Sequence, residues 1–213
     1  MTNRTRRASL AGCALLVGVL AACSSAAPAR TATSQLNDQT GGGTYQGVGL
    51  DPAQPRPSFT LTDAAGKPFS FGERTAGHPT LLYFGYTTCP DVCPTTMADI
   101  SVALKSLPST LQRATDVVFV STDVKHDTGP IITQWLSNFA PNTSATFTGL
   151  RGTQAQIDAA QTAAHVIVAQ DGGQTHSAEV LLYGTDDYAR VSYPQSATEQ
   201  QQIAHDLPLV AHS

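Results

Sequence analysis

A continuous apolar run, Thr80-Leu81-Leu82-Tyr83-Phe84-Gly85-Tyr86, constrains the fold of this chain more than any other segment. The run has the length of a strand, and a strand that is apolar on both faces is typical of the buried centre of a sheet. After it, Pro94 favours the first position of a helix, which apolar residues continue as far as Pro108. We therefore expect a central strand, a short loop and a helix, in that order.

The rest of the pattern predicts an α/β protein. Residues 116–121 form a second buried strand and residues 131–139 a second helix, an alternation typical of a parallel sheet. Before them, Phe59-Thr60-Leu61 and Phe69-Ser70-Phe71 alternate around a turn, which predicts a hairpin. The later segments are a helix at 154–163, strands at 165–169, 178–183 and 189–193, and a helix at 198–207. This order predicts a thioredoxin-like three-layer fold with an N-terminal β-hairpin extension.

Residues 1–22 are typical of a lipoprotein signal peptide. Three arginines precede an apolar run at 10–20, which is shorter than the roughly 20 residues that a membrane-spanning helix needs. Leu20-Ala21-Ala22-Cys23 resembles the lipobox of bacterial lipoproteins, in which the cysteine carries a diacylglycerol thioether. We expect lipidation at Cys23 and a cell-membrane anchor facing the extracytoplasmic side. An ordinary signal peptide cut nearby is the alternative.

The mature chain is predicted to consist of a tether and one domain. Residues 23–55 are rich in Ala, Thr, Ser, Gln and Gly, which predicts a lipid-anchored flexible tether, and residues 56–213 form the domain. The formal charge of −4 gives no electrostatic reason to expect nucleic acid as a partner.

Only two of the four cysteines are expected to remain as free thiols in the mature chain. Cys13 would leave with the signal peptide and lipid would consume the sulfur of Cys23, so Cys89 and Cys93 remain as thiols. They lie between a buried strand and a helix N-terminus, where exposed N–H groups favour thiolates. Because Pro94 disfavours helical geometry at the residue before it, we expect both cysteines in the loop. A structural disulfide, a catalytic dithiol and a metal site all remain open for this pair.

His176 is the third candidate residue. It lies in Gly172-Gly173-Gln174-Thr175-His176-Ser177-Ala178, a loop that leads into an apolar strand. A lone loop histidine is commonly just solvated, but in a thioredoxin-like fold this loop lies beside the cysteine loop. Two thiolates and one imidazole form a soft, low-coordinate ligand set that suits Cu(I) and can hold Cu(II), whereas structural zinc usually takes four protein ligands.

Four stretches of the chain resemble the Sco/SenC family of copper chaperones for cytochrome oxidase. They are the cysteine segment 83–94, Ser121-Thr122-Asp123 with Asp127-Thr128, Phe147-Thr148-Gly149-Leu150, and Thr175-His176-Ser177. The resemblance covers residues 57–207.

The resemblance implies that Cys89, Cys93 and His176 bind copper, as Cu(I) or Cu(II), and that Asp123 supports the ligands or contacts a partner. A strand-end acid that caps a turn is the alternative for Asp123. The implied partner is the copper-receiving subunit of a membrane-bound cytochrome oxidase. Oxidation of Cys89 and Cys93 to a redox disulfide would switch copper binding off.

The chain departs from the family pattern at three positions. The family usually has a proline after the aspartate and an arginine before the next one, where this chain has Val124 and His126. His126 is either an auxiliary ligand or a solvated loop histidine. Thr175 stands where many members have an aspartate, which leaves the orientation of His176 open.

An enzyme is the competing interpretation. A thioredoxin-type oxidoreductase usually has two residues between its cysteines. It also has a cis-proline just before the strand that corresponds to the one after His176 in this chain. This chain has three intervening residues, and no proline occurs from Asn142 to Tyr193. Tyr86 and Pro90 stand where a peroxiredoxin would carry threonine or serine relative to its reactive cysteine. We therefore expect a metallochaperone without steady-state turnover, with a thiol-disulfide oxidoreductase that reduces the oxidase copper site as the alternative.

Overall fold

The computed structural model describes residues 44–212. The predicted signal peptide, Cys23 and most of the predicted tether lie outside the described residues. The strands are β1 (Val48–Pro55), β2 (Thr60–Asp63), β3 (Pro68–Ser70), β4 (Thr80–Gly85), β5 (Asp116–Ser121), β6 (Thr146–Arg151), β7 (Glu179–Tyr183) and β8 (Tyr188–Pro194). The helices are α1 (Phe71–Arg74), α2 (Val92–Lys105), α3 (Ser109–Ala114), α4 (Gly129–Leu136), α5 (Gln154–Ala163) and α6 (Glu199–Val210), with 3-10 turns at Ala140–Asn142 and Asp171–Gly173.

The strands of the described chain form one mixed sheet in the order β1-β8-β7-β4-β5-β6-β2-β3. β4, β5 and β6 run parallel, and β7 pairs antiparallel with β4 on the other side. Every residue of β4 is buried, as the apolar run predicts for a central strand. Because β4 and β5 are parallel, the loops after both strands emerge at the same end of the sheet.

Helices cover both faces of the sheet and make the predicted three layers. One face packs against α2, α4 and α6, whose core residues include Met97, Ile132 and Ile203. The other face packs against α1 and α5 through Phe71 and Ile157. The thioredoxin-like fold and the N-terminal hairpin, β2 with β3, are thereby confirmed. No helix within residues 44–212 is both long and apolar enough to cross a membrane.

The predicted boundary between tether and domain is wrong, because β1 belongs to the sheet. This strand pairs antiparallel with β8 at the edge, and the pairing is irregular between Gly49 and Gln54. It contains two prolines and exposed residues, both of which an edge strand tolerates. The same features make its sequence resemble that of a linker. Directly after it, the nearly buried Arg56 side chain donates to the hydroxyls of Thr75 and Thr80.

The predicted strand at 165–169 is also wrong. That segment has no regular structure, and the Gln161 side chain satisfies its backbone by donating to Ile167 O at 3.2 Å and accepting from Ala169 N at 3.0 Å. The edge of β5 is taken instead by β6, whose threonines and central glycine conceal a strand pattern. The short helix α3 was not predicted either.

Helix α2 begins earlier than predicted and includes Cys93. The helix starts at Val92, so Cys93 lies in its first turn and not in the loop. Pro94 is compatible with this start because the first helical N–H groups need no partner within the helix.

Candidate metal centre

The cysteine loop connects the end of β4 to the start of α2. Cys89 lies in the loop and is half-buried, and its N–H donates to Tyr86 O at 3.3 Å. Cys93 is fully buried against the core. Both cysteines are free thiols. One sulfur therefore faces the surface, whereas the other lies beneath it.

The pKa values of the two thiols are shifted in opposite directions. Burial opposes ionisation of Cys89, but hydrogen bonds from the amide and thiol of Cys93 outweigh it, so the pKa of Cys89 lies below its ordinary value. The amide of Cys93 lies 3.3 Å from the Cys89 sulfur, in agreement with thiolate stabilisation at a helix N-terminus. Burial raises the pKa of Cys93 to about 12.

Gly85 provides the space that the buried sulfur occupies. A Cβ at this position would lie 3.0 Å from both the Cys93 sulfur and the Tyr83 ring, and 3.1 Å from the Phe119 ring. Such distances are tighter than ordinary van der Waals contact, so a larger residue would push Cys93 out of place.

His176 faces the buried sulfur. Its Nε2 lies 3.5 Å from Cys93 Sγ, and its Nδ1 lies 2.8 Å from Ser177 O. The carbonyl can only accept, so Nδ1 carries the proton and the lone pair of Nε2 is directed toward Cys93. Burial lowers the pKa of His176, which favours the neutral imidazole that metals require.

The orientation of His176 does not depend on the side chain of Thr175. Where many family members have an aspartate, this chain orients the imidazole through the backbone of Ser177. The Thr175 hydroxyl instead donates to the Asp171 carboxylate at 2.8 Å. The rings of Tyr83 and Tyr86 pack edge-on against the imidazole, with centroids 6.2 and 5.6 Å away.

Asp123 has a different set of hydrogen-bond partners. Its carboxylate accepts from His126 Nδ1 at 2.8 Å and from the amides of Lys125 and His126, each at 3.2 Å. No hydrogen bond in the described chain joins it to Cys89, Cys93 or His176. The geometry is that of a strand-end acid capping its own turn, and the exposed His126 side chain is held by this acid.

The structure brings three of the four predicted residues together. Cys89, Cys93 and His176 meet at one end of the sheet, beside a cavity of about 370 Å³ that Cys89 and His176 line. They are not yet arranged around one point: no group of three or more His, Cys, Asp or Glu in residues 44–212 has a geometry that holds a metal ion. The Cys89 sulfur is instead engaged by the Cys93 amide.

Sequence reasoning missed the residues that hold the two loops in place. The Asp127 carboxylate accepts from Thr87 N at 3.0 Å and from the hydroxyls of Thr87 and Ser121, each at 2.5 Å. The Thr122 hydroxyl donates to the loop that carries His176. Ser121, Thr122 and Asp127 lie at or just after the end of β5, and because β5 is parallel to β4, this position in the sequence already indicated that they lie near the cysteine loop.

The sequence of the chain is similar to those of known proteins. The chain is 36% identical over 101 residues to the SCO2-like protein RP587 of Rickettsia prowazekii, a match that spans 46% of this chain and 45% of that relative's length. It is 32% identical over 167 residues to protein SenC of Rhodobacter capsulatus, covering 72% of each.

A solved structure gives the same result. The structure of Bradyrhizobium japonicum ScoI with copper bound superposes with a TM-score of 0.59 at 32% identity, over 74% of this chain and 99% of that one. Residues 49–211 match the SCO1/SenC family, and this range includes both cysteines, His176 and all of strand β1 except its first residue. The chain therefore belongs to the SCO1/SenC family.

Proposed function

We propose that this protein is a copper metallochaperone. In this proposal it binds one copper ion through Cys89, Cys93 and His176 and delivers it to the copper centre of a membrane-bound cytochrome oxidase. The observation that carries the proposal is the imidazole lone pair directed at the buried Cys93 sulfur, 3.5 Å away. A related protein of known structure, Bradyrhizobium japonicum ScoI, has been solved with copper bound.

The chemistry of the three side chains fits copper. Thiolate and imidazole are soft or borderline ligands, and three of them suit Cu(I) or a Cu(II) ion with one open position. Cys89 would complete the set by turning its sulfur from the Cys93 amide toward Cys93 Sγ and His176 Nε2. The amide contact places the Cys89 sulfur at the first turn of α2, which also carries Cys93.

The difference between the two cysteines supports an order of events. Cys89 lines the open cavity and its thiolate is stabilised, so it is the first sulfur that an incoming copper ion meets. Cys93 holds its proton until the metal displaces it to solvent. On delivery the sequence reverses, and a ligand of the recipient replaces Cys89 at the cavity. Oxidation of the two thiols to a disulfide, with loss of two electrons and two protons to an oxidant, would abolish binding.

The anchor is part of the proposal. Lipidation of Cys23 would hold the domain at the extracytoplasmic face of the cell membrane, within reach of a membrane-embedded oxidase. Its support is the Leu20-Ala21-Ala22-Cys23 segment.

A thiol-disulfide oxidoreductase is the second candidate. The observation that favours it is the same asymmetry: an accessible, acidic thiol beside a buried, weakly acidic one matches an attacking and a resolving cysteine. In this role Cys89 would attack a disulfide of the oxidase copper site, and Cys93 would then release the reduced partner.

Deletion of the gene in its host tests delivery. We expect the purified oxidase to lose copper, and we expect the wild-type chain to restore it while Cys89→Ser and Cys93→Ser do not. Copper added to the medium should bypass the loss if the protein is a chaperone. A bypass by an added thiol reductant, and not by copper, would instead identify the oxidoreductase, and an oxidase with full copper after deletion would contradict both.

A further inference from the structure

Thr122 lies between the two halves of the candidate metal centre. It follows the last residue of β5 and is fully buried. Its hydroxyl lies 2.6 Å from Gly173 O, in the loop that carries His176, and 3.2 Å from Gly85 O, at the start of the cysteine loop. A hydroxyl has one proton, and the shorter bond takes it, because the Thr122 amide already donates to Gly85 O at 2.7 Å.

Gly173 completes this contact from the other side. It has a φ of 97°, and a Cβ there would collide with the Thr122 carbonyl. The loop therefore lies directly on the Thr122 backbone. Gly172 has a similar φ of 71°, but a Cβ there would meet nothing within 4 Å.

Backbone hydrogen bonds connect the part of the loop that contains Gly173 to the residue before His176. Gln170 N donates to Thr175 O at 2.7 Å, and Thr175 N donates back to Gln170 O at 3.2 Å, so the ends of the loop are closed immediately before His176. The residue before His176 is therefore tied, through this closed loop, to the segment that rests on Thr122.

We infer that Thr122 is a positioning residue of the candidate metal centre, because its backbone fixes the end of the cysteine strand while its hydroxyl fixes the histidine loop. Within residues 44–212 it has no hydrogen bond to the three candidate ligands, and it acts through Gly85 and Gly173. The copper readouts of this inference rest on the proposed function, whereas the distance between His176 and the cysteine loop does not.

The first test compares Thr122→Val with Thr122→Ser in the full chain, purified in detergent with Cys13 and Cys23 replaced by serine. Valine preserves the volume and removes the hydroxyl, leaving Gly173 O without its donor, whereas serine retains the donor. Thr115→Val is the matched control, since Thr115 is equally buried, lies at the opposite end of β5, and donates to Leu111 O at 2.8 Å.

Two readouts separate positioning from stability. In the copper-free protein, the NMR shifts of the His176 ring protons report the edge-on rings of Tyr83 and Tyr86. We expect these shifts to move toward those of an exposed histidine in Thr122→Val alone. With copper, we expect about tenfold weaker Cu(II) binding and an altered Cu(II) spectrum in the same variant, the size expected from losing one buried hydrogen bond.

The second test perturbs the contact without touching Thr122. Gly173→Ala and Gly172→Ala impose similar backbone strain, but only the first pushes against the Thr122 carbonyl. We expect Gly173→Ala to reproduce the shift changes of Thr122→Val and Gly172→Ala to leave them close to wild type.

Unchanged His176 shifts in both Thr122→Val and Gly173→Ala would overturn the inference, as would equal changes in Thr115→Val and Gly172→Ala. If the wild-type chain binds no copper while the copper-free shifts behave as expected, the proposed function fails and the positioning role stands.

Discussion

The cysteine loop and the histidine loop meet at one site but are held there by different means. The cysteine loop is short and joins a central strand to a helix, so its ends are fixed by the core on both sides. The histidine loop follows an irregular segment, contains three consecutive residues with positive φ at 171–173, and rests on Thr122. The ends of the cysteine loop are thus set by the strand and helix that adjoin it in sequence, and Asp127 holds Thr87 between them, whereas the histidine loop depends on contacts distant in sequence.

The two halves also differ in what a substitution should change. The cysteines provide the two thiolate ligands of the proposed site, which bind Cu(I) most strongly, whereas the histidine loop provides one imidazole. We therefore expect the largest effects at the cysteines, intermediate effects at His176, and the smallest effects at the backbone that supports them.

The largest effect is expected from Cys89→Ser and Cys93→Ser. A hydroxyl is a hard, weakly acidic ligand that does not replace a thiolate on Cu(I), so each variant should lose at least about a thousandfold in Cu(I) affinity. Competition with a chromophoric Cu(I) chelator under anaerobic conditions measures this. Both variants are compared with the chain in which Cys13 and Cys23 alone are serine, and equal affinity in all three would remove the cysteine loop from the site.

His176→Ala is expected to have the next largest effect. Loss of the imidazole should weaken Cu(II) binding by roughly 10- to 100-fold and change its visible spectrum, with a smaller effect on Cu(I), which two thiolates can hold. His126→Ala is the matched control, because that exposed imidazole is bound to Asp123 and not directed at the cysteines. A spectrum changed by His126→Ala, and not by His176→Ala, would reverse the roles assigned to the two histidines.

The pH dependence of Cu(I) affinity distinguishes the two cysteines. Because the pKa of Cys93 is raised to about 12, this thiol is protonated in the copper-free protein at all ordinary pH values, and binding must release its proton. Affinity should therefore rise about tenfold per pH unit. The slope should be steeper at low pH, where Cys89 also holds a proton, and should flatten as pH rises through the lowered pKa of Cys89. A pH-independent affinity would show that Cys93 is not a ligand.

The smallest effect is expected from Gly85→Ala, which tests the backbone beneath the cysteine loop. The added methyl group would crowd the Cys93 sulfur and two aromatic rings at 3.0–3.1 Å, so we expect a loss of about 1–2 kcal/mol in the free energy of unfolding. Cu(I) affinity should also fall several-fold. Gly49→Ala, at an exposed position of β1 with nothing near the added atom, should change neither quantity.

The cysteine half of the site was largely predictable from the sequence. A buried strand followed by Cys89, Cys93 and Pro94 predicts a thiol pair at a helix N-terminus without any knowledge of distant residues. The predicted start of α2 was two residues too late, because proline is as compatible with the third helical position as with the first. This error placed Cys93 in the loop and concealed its burial.

The histidine half was predictable only through the fold. The position of His176 beside the cysteines followed from the thioredoxin-like order, but its tautomer depends on the backbone of Ser177, which the sequence pattern does not indicate. The strand β6 and the edge strand β1 were missed for a related reason. Their threonines, glycine and prolines have weak strand patterns, and it is pairing with neighbouring strands that stabilises them.

The proposed copper site is best tested by anaerobic Cu(I) titration of the reduced full chain, with Cys13 and Cys23 replaced by serine and a competing chelator present. We predict one equivalent of tightly bound Cu(I), lost when Cys89 and Cys93 are both replaced by serine. No tight binding, or binding that survives this double replacement, would contradict it.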